Sequence, residues 1–173
     1  PLRGKPMNTW GEKPLKITQN KELQQLLAVL NLKVGEKATD LSYGSIKILC
    51  DADMDGHCIV SLLLAFFSNW PELFEQKKIS LVRCPIIVAT KKNHSEKRYY
   101  QMKAYIDAKK SGEIDETWTL AYLKGLGSLN EKEYERMIHN PVEDYLTLDA
   151  NSTKSLELAF GDDANPRKTW LEG

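Results

Sequence analysis

The stretch Ile46-Lys47-Ile48-Leu49-Cys50-Asp51-Ala52-Asp53-Met54-Asp55-Gly56 constrains this chain more than any other. An apolar run stops abruptly in carboxylates at alternate positions, and a glycine closes the series. Ile59-Val60-Ser61-Leu62-Leu63-Leu64-Ala65-Phe66-Phe67 follows and is too apolar for a loop. The pattern predicts strand, acidic turn, buried helix. In an open α/β sheet, ligands bind just past the carboxyl ends of the strands. Asp51, Asp53 and Asp55 therefore stand where such a fold does its chemistry.

Like charges this close repel and are tolerated when they face water or surround a cation. An all-oxygen set without His or thiolate favours a hard ion such as Mg²⁺ or Ca²⁺. Four readings compete. A calcium loop of the EF-hand type fits Asp51 to Gly56 but needs a bidentate Glu where Leu62 stands. An aspartyl phosphotransferase would use Asp51 as nucleophile, with no second phosphate-handling motif in support. A solvated acidic turn needs no ligand. The fourth reading is a Mg²⁺ site for phosphodiester chemistry.

The rest of the chain bounds these choices. A length of 173 residues suits one domain with a small appendage, and 42% apolar with 28% charged residues is an ordinary globular composition. No apolar run approaches the roughly 18 residues of a membrane span. Lys+Arg and Asp+Glu both number 24, so a nucleic-acid contact has to be local or shared with a partner. Cys50, Cys58 and Cys84 are widely spaced, which argues against a disulfide framework or zinc. Cys50 and Cys84 read as small core residues, and the chain as cytosolic. It begins at Pro1, as a fragment or a processed product does.

Pro1-Leu2-Arg3-Gly4-Lys5-Pro6-Met7-Asn8 is either a frayed terminus, which its composition favours, or a basic loop for phosphates. Leu23, Leu26, Leu27 and Leu30 form one stripe of a helix over Asn20–Leu32, with Thr18 or Asn20 as cap. Asn69-Trp70-Pro71-Glu72 restarts a short helix anchored by Leu73 and Phe74. Residues 79–89 read as two short strands or one kinked at Pro85. With the return strand they predict a hairpin over about 79–102, its lysines at a solvated tip. A short helix over Met102–Lys110 and a strand over Thr117–Leu123 follow. The strand runs into Lys124-Gly125-Leu126-Gly127-Ser128, a tight turn with exposed N–H groups. Asn130 with Glu133 resembles a capping box opening a helix to His139, with Tyr134, Met137 and Ile138 as its apolar face. Two short helices close the chain, with Asp162-Asp163 as capping chemistry.

Taken together, separated stretches resemble the Toprim region of type IIA DNA topoisomerases, the gyrase and topoisomerase II family. Pro1-Leu2-Arg3-Gly4-Lys5 with Asn8 is similar to PL[RK]GKxxN, and Asp51 to Gly56 to DxDxDG. Asn69-Trp70-Pro71 resembles the NWP of the eukaryotic and phage branch. Tyr122 to Gly127 resembles YxKGLG, and Asp162-Asp163 through Leu171 the closing DDxRKxWL. These motifs come in family order over nearly the whole chain, with the phage enzymes most alike.

The resemblance implies an α/β fold: a Toprim-like, mostly parallel sheet flanked by helices, with a hairpin insertion and a small helical C-terminal extension. Residues 1–128 would form the Toprim domain and 129–173 the extension. It implies Mg²⁺ held by Asp51 and Asp53 as the catalytic pair, Asp55 supporting, and Arg3, Lys5 and Lys124 against DNA phosphates. The partners implied are double-stranded DNA, an ATPase subunit and a tyrosine-bearing breakage-reunion subunit, with no membrane. The chain alone is expected to be inactive, and Tyr122 and Tyr134 are not its nucleophile. Gly56-His57-Cys58 replaces the family's DGSH, and Val60 a basic residue. The family's metal-binding Glu, in an EGDSA motif on the first strand of the sheet, precedes PLRGK and is not in this sequence. A partner is expected to supply it. The alternatives kept open are a docking module without a competent metal site and a Mg²⁺-dependent phosphatase.

Overall fold

In the computed structural model, which describes residues 1–92 and 95–172, eight α-helices, one short 3-10 helix and six strands are defined among the described residues. The expected hairpin tip, Asn93 and His94, lies outside them. The chain divides into two units: residues 1–48, 58–80 and 145–173, and residues 49–57 and 81–144.

In the first unit, α1 (Pro14–Gln19) leads into α2 (Lys21–Leu30). Asn20 caps α2 as expected, its Oδ1 accepting the N–H groups of Glu22 and Leu23 at 3.1 Å each. Leu23, Leu27 and Leu30 bury the predicted stripe. The helix stops at Asn31, which takes the left-handed conformation (φ 57°) suited to a helix end. α3 (Met54–Phe67) carries Phe66 and Phe67 into the core, and α4 (Pro71–Glu75) starts on Pro71 with Leu73 and Phe74 buried. The ring of Phe66 meets those of Phe67 and Trp70 edge-on at 5.0 and 5.3 Å. Trp70 is fully buried, and its indole N–H donates to the Lys33 carbonyl at 3.2 Å, so burial leaves no orphaned donor.

The amino terminus is tied down rather than frayed. Arg3 N–H donates to Glu22 (2.8 Å), Asn8 Nδ2 to the Phe160 carbonyl (2.8 Å) and Trp10 Nε1 to Glu157 (2.5 Å). These bonds hold it against α2 and against α7 (Ser152–Phe160). In α8 (Asn165–Glu172), Arg167 turns back to the Ala159 carbonyl at 2.7 Å, satisfying the end of α7. Asp163 Oδ1 accepts Asn165 N–H at 2.9 Å, the capping role expected of this pair.

In the second unit, β3 (Ile87–Lys91) lies between β4 (Glu96–Tyr99) and β5 (Trp118–Tyr122), antiparallel to both. Ile87, Ala89 and Tyr99 pack against Tyr105 and Ala108 of α5 (Met102–Lys110) and against Ile114. A second cluster joins Val82, Cys84 and Leu129 to Met137 of α6 (Glu131–His139), with Leu123 and Leu126 against it. A further sheet has the order β1 (Ile46–Leu49), β2 (Ile79–Val82), β6 (Glu143–Tyr145).

The α/β class stands, in two three-stranded sheets; where a mostly parallel sheet is expected, the pairings of β3 with β4 and β5 are antiparallel. Leu146 N–H bonds to the Ile79 carbonyl and Arg83 N–H to the Val142 carbonyl, so β6 is antiparallel to β2 as well. The short β3–β4 connection dictates its pairing, because a parallel neighbour needs a crossover of about a dozen residues. The hairpin is β3–β4 alone. Pro85 separates β2 from it, resolving residues 79–89 into two strands.

Three smaller expectations also change. The lysines near the hairpin tip are not merely solvated: Lys91 and Lys97 lie over the Trp118 ring at 5.5 and 5.3 Å. Cys84 is buried, but Cys50 is only half-buried, because the strand has already ended before it. In α6 only Met137 and Glu133 are buried, while Ile138 is exposed. Among the described residues no helix is long and apolar enough to cross a membrane.

Candidate functional site

The acidic turn and the Lys124–Ser128 loop, both in the second unit, meet at Asp51. Asp51 follows the end of β1 and is half-buried, and its Oδ1 accepts the Leu126 N–H at 2.7 Å. Two glycines make room for it. Gly125 has φ +129°, and a Cβ there would stand 2.6–2.8 Å from the Asp51 carboxylate atoms. Gly56 lies in the first turn of α3, where a Cβ would fall 2.0 Å from the Asp51 carbonyl oxygen. The final glycine of the acidic motif is therefore required by close backbone approach, and the first glycine of the loop by conformation and space together.

Asp53 immediately precedes α3. Its Oδ1 accepts Gly56 N–H at 2.8 Å while its carbonyl accepts His57 N–H at 3.0 Å, which is the geometry of a helix cap. Asp53 and Asp55 are exposed. Among the described residues, no three His, Cys, Asp or Glu side chains gather closely enough to hold a metal ion. Asp51, Asp53 and Asp55 thus do not form a three-ligand cage.

The donor set still fits a hard cation. Mg²⁺ is commonly held by one or two carboxylates, with waters and substrate phosphates completing the shell. An ionised carboxylate offers about four lone-pair sites, so one backbone hydrogen bond leaves capacity for a cation. The field of the turn is visible in the thiols beside it. Burial and then the charges of Asp51 and Asp53 push the Cys50 thiol up, and burial followed by Asp51 and Glu133 pushes up Cys84.

The loop is braced from its own far end. Ser128 Oγ accepts Lys124 N–H (2.9 Å) and donates to the Gly125 carbonyl (2.7 Å). Tyr134 Oη donates to the Leu126 carbonyl at 2.6 Å. Leu126 itself packs on the Val82–Met137 cluster. Sequence reasoning gave Tyr134 only an apolar role and Ser128 none; a hydroxyl three residues beyond Gly125 was the available signal.

Behind the loop, Asn130 Oδ1 caps α6 through Glu133 N–H at 3.0 Å. The Glu133 carboxylate does not complete the capping box. It takes a forked contact from Arg98 of β4, with Nη2–Oε1 at 2.6 Å and Nε–Oε2 at 2.9 Å. The two side chains are only 6% and 11% exposed, and the Arg98 guanidinium is held above its ordinary pKa by Glu133.

Of the residues expected against DNA, Lys124 is exposed on the loop, and Arg3 and Lys5 are exposed in the first unit. Tyr122 is exposed, its hydroxyl 3.4 Å from that of Tyr105.

Residues 82–173 match the family model described as the C-terminal associated domain of TOPRIM. The chain is 39% identical over 142 residues to the DNA topoisomerase small subunit of Enterobacteria phage T4, covering 82% of this chain and 86% of that protein. It is 31% identical over 182 residues to DNA topoisomerase 2 of Bombyx mori, covering 99% of this chain but only 12% of that enzyme. The crystal structure of the Plasmodium falciparum topoisomerase II DNA-binding, cleavage and re-ligation domain superposes with a TM-score of 0.84 at 27% identity, over 100% of this chain and 25% of that one. An α/β module carrying a Toprim-associated domain is the class so defined. The chain belongs to the type II DNA topoisomerase family.

Proposed function

We propose that this chain supplies the acidic residues of the DNA-cleavage site in an ATP-dependent type II topoisomerase. The observation that carries the reading is the Leu126 N–H bond to Asp51, which joins the acidic turn to the glycine-flanked loop. Asp51 and Asp53 would hold Mg²⁺, with Asp55 in support. When bound, the ion would stabilise negative charge developing on the phosphate and sugar oxygens. Asp51, fixed by a backbone donor, presents a carboxylate that does not need to reorganise. Asp53 keeps the first turn of α3 in place while its charge faces solvent. Lys124, Arg3 and Lys5 meet DNA phosphates and position the duplex without reading its sequence.

The attacking tyrosine comes from a breakage-reunion subunit. ATP hydrolysis comes from an ATPase subunit. This division agrees with the name of the phage T4 relative, a small subunit.

The test is DNA cleavage with Mg²⁺ after mixing this chain with the ATPase and tyrosine-bearing subunits of its source. Cleavage that requires the chain and is lost with Asp51→Ala is expected. An assembled complex that cleaves equally well with Asp51→Ala overturns the assignment. The second reading, a docking module without a working metal site, is favoured by the lack of any three-ligand cluster among the described residues. It predicts unchanged subunit assembly and no cleavage contribution from Asp51.

A further inference from the structure

We propose that Ser128 is a positioning residue for Asp51, a role that rests on the reading of Asp51 as a cation ligand. The connection runs through one peptide group, the one linking Gly125 to Leu126. Its N–H donates to Asp51 Oδ1 at 2.7 Å. Its carbonyl accepts from Ser128 Oγ at 2.7 Å and from Ser128 N–H at 3.1 Å. Ser128 Oγ in turn accepts from Lys124 N–H at 2.9 Å.

The result is a directed chain: Lys124 N–H to the Ser128 hydroxyl, the hydroxyl to the Gly125 carbonyl, and the same peptide's N–H to the carboxylate. Each donor in such a chain polarises the next. A peptide whose carbonyl is engaged at the far side is also fixed in orientation. Gly125, at φ +129°, lacks the side chain that would otherwise restrict it, so the loop depends on these bonds to choose one peptide orientation. Tyr134 holds the following peptide through the Leu126 carbonyl and limits rotation from the other side. Ser128 thus acts on a cation through two intermediaries, the peptide and Asp51. Partners of this kind orient ligands without touching the ion.

The test uses the full chain and Mn²⁺ as probe. In metal-free buffer, ¹⁵N-resolved NMR reads the Leu126 amide directly. Ser128→Ala is expected to move that proton upfield and speed its exchange, while Ser128→Thr, which keeps the hydroxyl, restores both. Mn²⁺ binding followed by electron paramagnetic resonance is expected to weaken about tenfold in Ser128→Ala and to recover to within about twofold in Ser128→Thr. Circular dichroism melts establish that each variant is folded. An unchanged Leu126 amide, or unchanged Mn²⁺ affinity, in folded Ser128→Ala overturns the proposal. Asp51→Asn separates this failure from that of the underlying reading. If Mn²⁺ affinity falls with Asp51→Asn but not with Ser128→Ala, only the positioning role is lost. If Asp51→Asn is also silent, the metal assignment fails first.

Discussion

Replacing Gly125 by Ala places a methyl group 2.6–2.8 Å from the Asp51 carboxylate on a backbone with φ +129°. Two costs follow. Holding a non-glycine residue in that conformation costs about 1–3 kcal/mol. The carboxylate must also move off the Leu126 N–H, and loss of a hydrogen bond to a charged group costs about 1.5–3 kcal/mol. The total expected for Gly125→Ala is therefore about 2.5–6 kcal/mol. The two parts are separable, because the three atoms nearest the new methyl all belong to the Asp51 carboxyl group. In an Asp51→Ala background only the backbone cost remains. Urea unfolding followed by far-ultraviolet circular dichroism, with all four proteins compared at constant m-value, gives the coupling energy directly. A coupling of about 1.5–3 kcal/mol is expected. If Gly125→Ala costs the same in both backgrounds, the carboxylate does not occupy the space beside Gly125 and the described cradle is wrong.

Gly56→Ala is more severe, because its methyl group meets the Asp51 carbonyl oxygen at 2.0 Å and a backbone atom cannot swing aside; loss of soluble folded protein is expected, and a normal melt would contradict it. Glu133→Ala leaves Arg98 buried without its main partner and is expected to destabilise by about 3 kcal/mol in the same urea assay, with Glu133→Gln costing less. The Cys50 thiol, raised by burial and by the negative charges of Asp51 and Asp53, holds little thiolate at mildly alkaline pH. Asp51→Asn removes one raising contribution, so its pKa falls and alkylation by iodoacetamide, followed by peptide mass spectrometry, is expected to quicken; an unchanged rate would show that the carboxylate's field does not reach the sulfur.

The parts legible in the sequence were those set by neighbours along the chain. The stripe of Leu23, Leu27 and Leu30 and the cap Asn20 are local signals, and both appear as read. The acidic turn and its helix also follow from an apolar run on either side of Asp51–Gly56. β6 escaped notice because Glu143-Asp144-Tyr145 has no apolar alternation and becomes a strand only through its neighbour β2. The site shows the same boundary. Each motif could be recognised, but the hydrogen bond between Leu126 and Asp51 spans 75 positions, and no periodicity encodes it. Glu133 is the clearest case of tertiary override: local rules send its carboxylate back to the helix start, whereas a cation 35 positions away takes it.

The Arg98–Glu133 pair also guards against a folding error. A slip of β4 by one position along β3 would turn Arg98 to the opposite face of the sheet, because side chains alternate on a strand. Glu133 would then sit in the interior without its forked partner, because neither Lys97 nor Tyr99 turned toward it can reproduce that geometry. The same ion pair holds β4 against α6, and α6 also carries Tyr134, whose hydroxyl donates to the Leu126 carbonyl. The accuracy of the acidic site is thus inherited in part from an ion pair that never touches it.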